Sequence, residues 1–510
     1  SLIAQLGTRW RCVIRFGCLF IFMNIIFRTV AVASANAVKS NTKLKSWKDI
    51  PGPSSLPIIG QLHHFMPGGD LQNIEGGEAT LKLYEMYGPI VRLEGLLGKS
   101  PMVLLFDPET CAHVLRSENW TPLRPGFKSL EYYRKDYKRS KGHTVHTTGL
   151  VTDHGDAWKE FRSKVNPVML QPKTIRLYKP VLEEVAQDMV ARLKANRDKN
   201  NMVCNDFGKE MTLWALESIG TIALGCRLNC FDPNLPADSP EWQLIQCVQD
   251  LFVTGNQLDH KPSLWRYFST PLFKKAMKLY ERQENLTKHF VNKGKEQLKN
   301  KTNTEKGVLE KLLEIDEEVA RIMASDMLFG GVDTVTNLYL LAVNPEKQDK
   351  LREDIILAKS NSERSRYLNA CMKEALRIMP VVSGNLRVTT KEYNLLGYQI
   401  PKNIEIVFAH QAMSLLEENY PQPHEYIPER WLASKDDPLY YGNAHPFAHV
   451  PLGFGARNCI GRRIAEIEIE TFLEQMIENF KVEWFGPPPK ISPQALNYIK
   501  GPFNFIFKDV

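Results

Sequence analysis

No CxxC pair occurs in this chain of 510 residues; its nine cysteines are scattered, and Cys226 and Cys230 are the nearest two. A disulfide scaffold and a structural zinc site both need closer, paired spacing, so the pattern excludes them and fits a reducing compartment. No stripe of basic residues with interleaved aromatics is present, and the net charge of +7 is modest for this length. Nucleic acid is therefore set aside as a partner, while acidic proteins or a membrane surface suit the balance. No internal repeat is found, which excludes solenoids and propellers. Asp and Glu are missing from Ser1 to Lys48, where Arg9, Arg11, Arg15, Arg28, Lys39, Lys43, Lys45 and Lys48 are all basic. Arg-rich, Ser-containing and acid-free is the composition of a mitochondrial transit peptide. The apolar stretch from Gly17 to Phe27 keeps a microsomal anchor open, although it is shorter than the roughly 18 apolar residues of a spanning helix.

What remains is ordinary folded-protein composition, 43% hydrophobic and 24% charged. Pro51-Gly52-Pro53 ends the leader as a stiff hinge, which divides the chain into a 1–50 leader and linker and a 51–510 body. Short β-type runs at Ile90–Leu93 and Met102–Phe106 precede a mostly helical middle from about 155 to 378. Strand-like pieces return between Arg387 and Ile406 and again from Phe480 to Phe507, so the expected fold is mainly α with a smaller β portion.

Near the C-terminus, Gly455, Arg457, Cys459 and Gly461 form a Gly-x-Arg-x-Cys-x-Gly frame on a loop that enters a helical pattern. The free N–H groups and positive end of that helix favour a thiolate at Cys459. Gly455 and Gly461 leave room for a flat macrocycle, and Arg457 can neutralise a propionate, so the frame suits haem iron. A buried cysteine beside a turn is the plain alternative. A second signal lies in the apolar run Ala324–Asn337, where Gly330-Gly331 and then Asp333-Thr334 cost helix stability. Asp333 and Thr334 could pass protons to an oxygen on iron, or merely mark a cap or kink. Glu374 and Arg377 share one helix face, and Arg430 in Pro428-Glu429-Arg430-Trp431 could close a network against it. Trp158 and Arg162, at i and i+4, can both donate to a propionate.

In this order, over most of the chain from Pro51 onward, these motifs resemble the cytochrome P450 superfamily of haem-thiolate monooxygenases. The resemblance implies a single large haem-binding fold with Cys459 as axial ligand and Asp333 with Thr334 as the oxygen-activating pair. It implies Trp158, Arg162, Arg387 and Arg457 on the propionates and Glu374, Arg377 and Arg430 as a structural network. The stretch Phe161–Pro172 and the Arg462-Arg463 pair look like the mitochondrial clan of arthropods, which takes electrons from a small acidic, adrenodoxin-like ferredoxin. Lys373, Arg462 and Arg463 are candidates for its docking face, with a solvated charge set or haem support as the bland reading. The runner-up donor is an NADPH-dependent diflavin reductase. The implied activity inserts one atom of O₂ into a small lipophilic substrate, sterol- or ecdysteroid-like or foreign, at the mitochondrial inner membrane, with the endoplasmic reticulum as the alternative. Arg124–Lys141 and Leu251–Phe268 fall where substrate access is expected.

The chain also departs from the family pattern. Leu452 stands where Phe is usual, Val335 follows Thr334 in place of Thr or Ser, and Asn369 replaces a basic residue. About two helical turns are missing between Asn337 and Asn344-Pro345, and more between Ile356 and Tyr367. A haem-thiolate isomerase or dehydratase without oxygen activation is a second reading, against which Asp333 and Thr334 speak, and the shortening motivates a third, a non-catalytic haem-binding isoform.

Overall fold

A computed structural model describes residues 44–510, except 57–58, 73, 75, 95–99, 204–206, 260–262, 300–304, 331–333, 492–496 and 498. The leader up to residue 43 and Asp333 thus lie outside the described residues.

The β portion gathers near the N-terminal part of the body. Strands β1 (Lys45–Ser46), β2 (Ile90–Leu93), β3 (Met102–Leu105), β4 (Asn385–Val388), β5 (Tyr393–Leu395), β6 (Tyr398–Ile400) and β7 (Glu405–Phe408) make two sheets, ordered β2-β3-β7-β4 and β1-β6-β5. The β3–β7 pair is parallel and joins residues three hundred positions apart, Val103 opposite Ile406. Val91, Val103, Leu105, Ile406 and Phe408 are buried on this sheet, and helices α1 (Gly76–Tyr87) and α2 (Pro108–Arg116) pack over it. Strand β1 falls within the expected leader, yet it already pairs with β6, Lys45 opposite Tyr398. A third, two-stranded sheet joins β8 (Phe480–Trp484) to β9 (Phe505–Asp509).

The helical body comprises α3 (Gly155–Met169), α4 (Lys179–Asn196), α5 (Phe207–Leu224), α6 (Pro240–Asp259) and α7 (Pro271–Lys299). It continues with α8 (Val308–Ile315), α9 (Glu317–Leu328), α10 (Val335–Ala342), α11 (Pro345–Ser360), α12 (Arg366–Ile378) and α13 (Arg462–Asn479). Helix α5 is buried on nearly every side, including Trp214, Ser218 and Ile222, as befits a helix apolar all round at the centre of a bundle.

The apolar run read as one helix across Ala324–Asn337 is instead two. Helix α9 ends at Leu328, Phe329 and Gly330 leave the helical path, and α10 starts at Val335. Glycine next to glycine is among the poorest helix-propagating steps, so the break falls where propensity is lowest. Helix α10 has 8 residues, spanning about 12 Å, before Pro345 opens α11.

Candidate active site

The cysteine loop is held by its own backbone. Gly453 and Gly455 adopt φ of +75° and +70°, a region where a side chain would strain the chain. Those turns bring the Cys459 N–H onto the Leu452 carbonyl at 2.8 Å and the Gly453 N–H onto Val450 at 3.0 Å. Gly461 caps α13, and a Cβ built on it would lie 3.9 Å from Cys459 Sγ, so the sulfur sits against the start of the helix. Burial raises the Cys459 thiol, opposed by the Gly461 N–H and then by the charges of Arg124, Arg162 and Arg462.

Around this loop the fold collects arginines from distant elements. Helix α3 buries Trp158 and Arg162, and Arg162 Nη2 donates to the Asn458 carbonyl (3.0 Å) and to Asn458 Oδ1 (2.9 Å). Arg457 donates to the carbonyls of Pro122 (3.2 Å), Leu150 (2.9 Å) and Asp153 (3.0 Å), and its guanidinium lies 4.2 Å over the Trp158 ring. Arg387, on β4, pairs with Glu118 at 2.7 Å. Arg124 joins them because Leu123 bridges to Val388, beside Arg387. Arg457 is pushed down to about 9 by burial first and then by Arg124, Arg387 and Arg162. Burial likewise lowers Arg162 to about 10, opposed by Cys459. Four guanidinium groups thus face one another with fewer acids than they need, a costly arrangement unless an anionic group completes it.

Arg124 and Glu118 did not stand out in the sequence. Their signal was weak: an arginine between Leu123 and Pro125 reads as extended loop, and only the pairing across β4 reveals its neighbours.

Behind the site, Glu374 is fully buried between two arginines. Arg377 donates to both its oxygens (2.9 and 2.8 Å), Arg430 Nε to Oε1 (2.9 Å) and Trp431 Nε1 to Oε2 (2.8 Å). The remaining guanidinium N–H groups reach carbonyls of Ser414, Pro423, Glu425, Pro421 and Gln422. Lys373 is exposed, with its ammonium 5.8 Å over the Trp431 ring; Arg462 and Arg463 are half-buried at the start of α13. Thr334 is buried at the entry to α10.

A flat dianion with two carboxylates matches this bowl. Trp158 Nε1 and Arg162 Nε are buried donors with no partner among the described residues, and the surplus guanidinium charge calls for two propionates beside a sulfur ligand. Fold and site together define a haem-thiolate protein. The family model described as Cytochrome P450 matches residues 50–507, and the chain belongs to that family.

Cytochrome P450 CYP12A2 of Musca domestica is 36% identical over 498 residues, covering 91% of this chain and 92% of the relative. Cytochrome P450 12b1, mitochondrial, of Drosophila acanthoptera is 32% identical, covering 87% and 86%. A solved structure titled "Retinoic acid bound cyanobacterial CYP120A1" overlays with a TM-score of 0.69 at 19% identity, covering 92% of this chain and 100% of that one, which shows the shared fold. The protein is thus a P450 monooxygenase, an oxidoreductase that carries haem on a cysteine thiolate.

Proposed function

We propose that this enzyme is a mitochondrial monooxygenase, peripheral to the inner membrane, that inserts one oxygen atom from O₂ into a lipophilic substrate with electrons from an acidic ferredoxin. The observation that carries the oxygenase reading is the bowl of Arg124, Arg162, Arg387 and Arg457 around the Cys459 loop. Bound haem supplies the iron at which O₂ is activated, and thiolate donation favours O–O cleavage. In this reading the Cys459 thiolate would hold the iron, Gly455 and Gly461 would admit the macrocycle, and Trp158, Arg162, Arg387 and Arg457 would hold its propionates. The Thr334 hydroxyl and Asp333 hold and pass protons. Glu374, Arg377 and Arg430 keep the segment behind the cysteine loop in place, since their hydrogen bonds tie α12 to residues 414–430.

The mitochondrial name of the Drosophila relative and the absence of Asp and Glu from Ser1 to Lys48 support a leader, which in this reading ends before Lys45, since β1 pairs with β6 and Ile50 packs in the core of the catalytic body. Among the described residues no helix is long and apolar enough to cross a membrane. Exposed Leu264, Tyr267 and Phe268 after α6 suit contact with lipid. Exposed Lys373 with Arg462 and Arg463 suits an acidic electron donor.

Reconstitution tests this directly. Substrate-dependent oxygen consumption with an adrenodoxin-like ferredoxin and its reductase, lost on raising the ionic strength, is the expected result; turnover only with a diflavin reductase would move the enzyme to the endoplasmic reticulum. The break between α9 and α10 favours one second reading, an isomerase or dehydratase that needs no O₂. Product formation under anaerobic conditions without reductant would select it.

A further inference from the structure

The chain enters its body beside an adjacent histidine pair that the haem chemistry leaves unused. His63 and His64 lie on one 3₁₀ turn, Leu62–Phe65, where neighbouring side chains leave the axis about 120° apart. Their rings nonetheless meet, with centroids 4.1 Å apart, and both Nε2 atoms reach one atom: Ser54 Oγ lies 3.4 Å from that of His63 and 3.1 Å from that of His64. Both sides of this meeting point are fixed. The Pro51 carbonyl accepts from the Arg92 N–H of β2 at 2.9 Å, and buried Gln61 donates to the Pro53 carbonyl at 2.7 Å while accepting from the Glu94 N–H, which sets Ser54 in place. Behind the histidines, Leu71 is in the core and its N–H donates to the His64 carbonyl at 2.9 Å. A Cβ on Gly69 would lie 2.2 Å from that carbonyl oxygen, so the loop closes tightly on the pair.

A count of protons shows what this point lacks. His63 Nδ1 is 3.1 Å from the Gly60 carbonyl and His64 Nδ1 is 3.4 Å from Asp70 Oδ2, and both oxygens can only accept. Each neutral imidazole therefore carries its proton on Nδ1 and turns an Nε2 lone pair toward Ser54. The Ser54 carbonyl, 3.2 Å from His64 Nε2, adds a third acceptor. One hydroxyl proton cannot serve three acceptors; a cation can. Metal-bound imidazoles hold their other N–H on a carboxylate or carbonyl in this way, which fixes ring and tautomer. With metal–ligand lengths of about 2.0–2.1 Å, two ligands of a tetrahedral ion stand roughly 3.3 Å apart. The three separations at Ser54, 3.4, 3.1 and 3.2 Å, have that size. Imidazole nitrogen with neutral oxygen suits zinc or copper rather than magnesium or calcium. Among the described residues no group of three His, Cys, Asp or Glu is placed to hold a metal, so water completes the shell and binding is weaker than in a closed structural zinc site.

We propose that His63 and His64, with the oxygens of Ser54, bind a divalent ion of the zinc class, and that Asp70 and Gly60 orient the two rings. The ion ties the segment Pro51–Ser54 to the loop that ends at Leu71, where the chain docks on β2. No bond forms or breaks other than coordination, and neither Cys459 nor haem takes part.

The test is equilibrium dialysis of the purified holoenzyme, first stripped with a chelator, against Zn²⁺ in excess Mg²⁺, with zinc measured by atomic emission. The unaltered enzyme takes up one zinc per chain. His63→Ala removes a ligand and abolishes that uptake; Asp70→Ala, at an exposed residue outside the coordination shell, weakens it by about 10–100-fold. His143→Ala, in the other closely spaced pair, His143 and His146, leaves it unchanged. The competing state is an imidazolium at His64 held by Asp70 and the Ser54 carbonyl, and it takes up no zinc. Absence of uptake by the unaltered enzyme therefore overturns the site, as does uptake that survives His63→Ala, is unmoved by Asp70→Ala or is lost in His143→Ala. Should His63→Ala not fold, Asp70→Ala decides alone.

Discussion

Glu374 accepts hydrogen bonds from Arg377, Arg430, Trp431 and the Ile427 N–H, all at 2.8–3.1 Å and with its side chain fully buried. Its removal leaves two guanidinium groups buried without a counter-charge. Glu374→Ala should therefore cost about 3–5 kcal/mol, read as a lowered denaturant midpoint or loss of soluble protein, whereas exposed Lys373→Ala should change the midpoint by less than about 0.5 kcal/mol. Arg124 presents the opposite case. Burial and then Arg387 lower it, so in haem-free protein it is a repelled charge. Arg124→Met should raise the melting temperature of the haem-free protein and speed haem loss from the holoprotein to a haem-scavenging globin. A haem-free protein destabilised by the change would show that Arg124 is a structural partner rather than a surplus charge.

At the scale of elements, much of the chain was readable because its signals are local. Trp158 and Arg162 share a helix face by spacing alone, the Gly455-to-Gly461 frame lies on one loop, and β2, β3 and the helical middle follow apolar periodicity. What depended on distant pairing was hidden. The β3–β7 pairing and the Leu123–Val388 bridge join segments hundreds of residues apart, and with them the company kept by Arg124 and Glu118. Strand β1 was hidden for the same reason: its two residues gain their conformation from β6. Helix contacts carry their own prediction at Gly294 of α7. A Cβ there would meet the Leu224 carbonyl at 2.4 Å and Leu309 Cδ2 at 2.8 Å, where α5, α7 and α8 converge. Gly294→Ala should cost about 1–3 kcal/mol by urea unfolding despite its gain in helix propensity.

For the molecule as a whole, acid stability follows from histidine burial. His410 is completely buried after β7 and is lowered to about 4 by burial, against a slight opposing bond to the Val382 backbone. An unfolded chain takes up that proton near its ordinary value of about 6.5. The folded state is thus fully favoured above about 6.5, and stability falls as pH drops toward 4. Urea midpoints measured across that range should decline in the native protein and decline less in His410→Phe, provided the variant folds; parallel declines would show that other groups set the acid limit.

All of these levels converge on Cys459, where a loop built by two left-handed glycines, a helix start and four arginines is assigned to a haem thiolate. The ferrous, CO-bound absorption spectrum of the purified holoprotein examines that assignment most directly. The expected result is the long-wavelength Soret band that a thiolate ligand produces, lost in Cys459→His. A band at the shorter wavelength of neutral ligation in the unaltered protein, or a spectrum unchanged by Cys459→His, would contradict it.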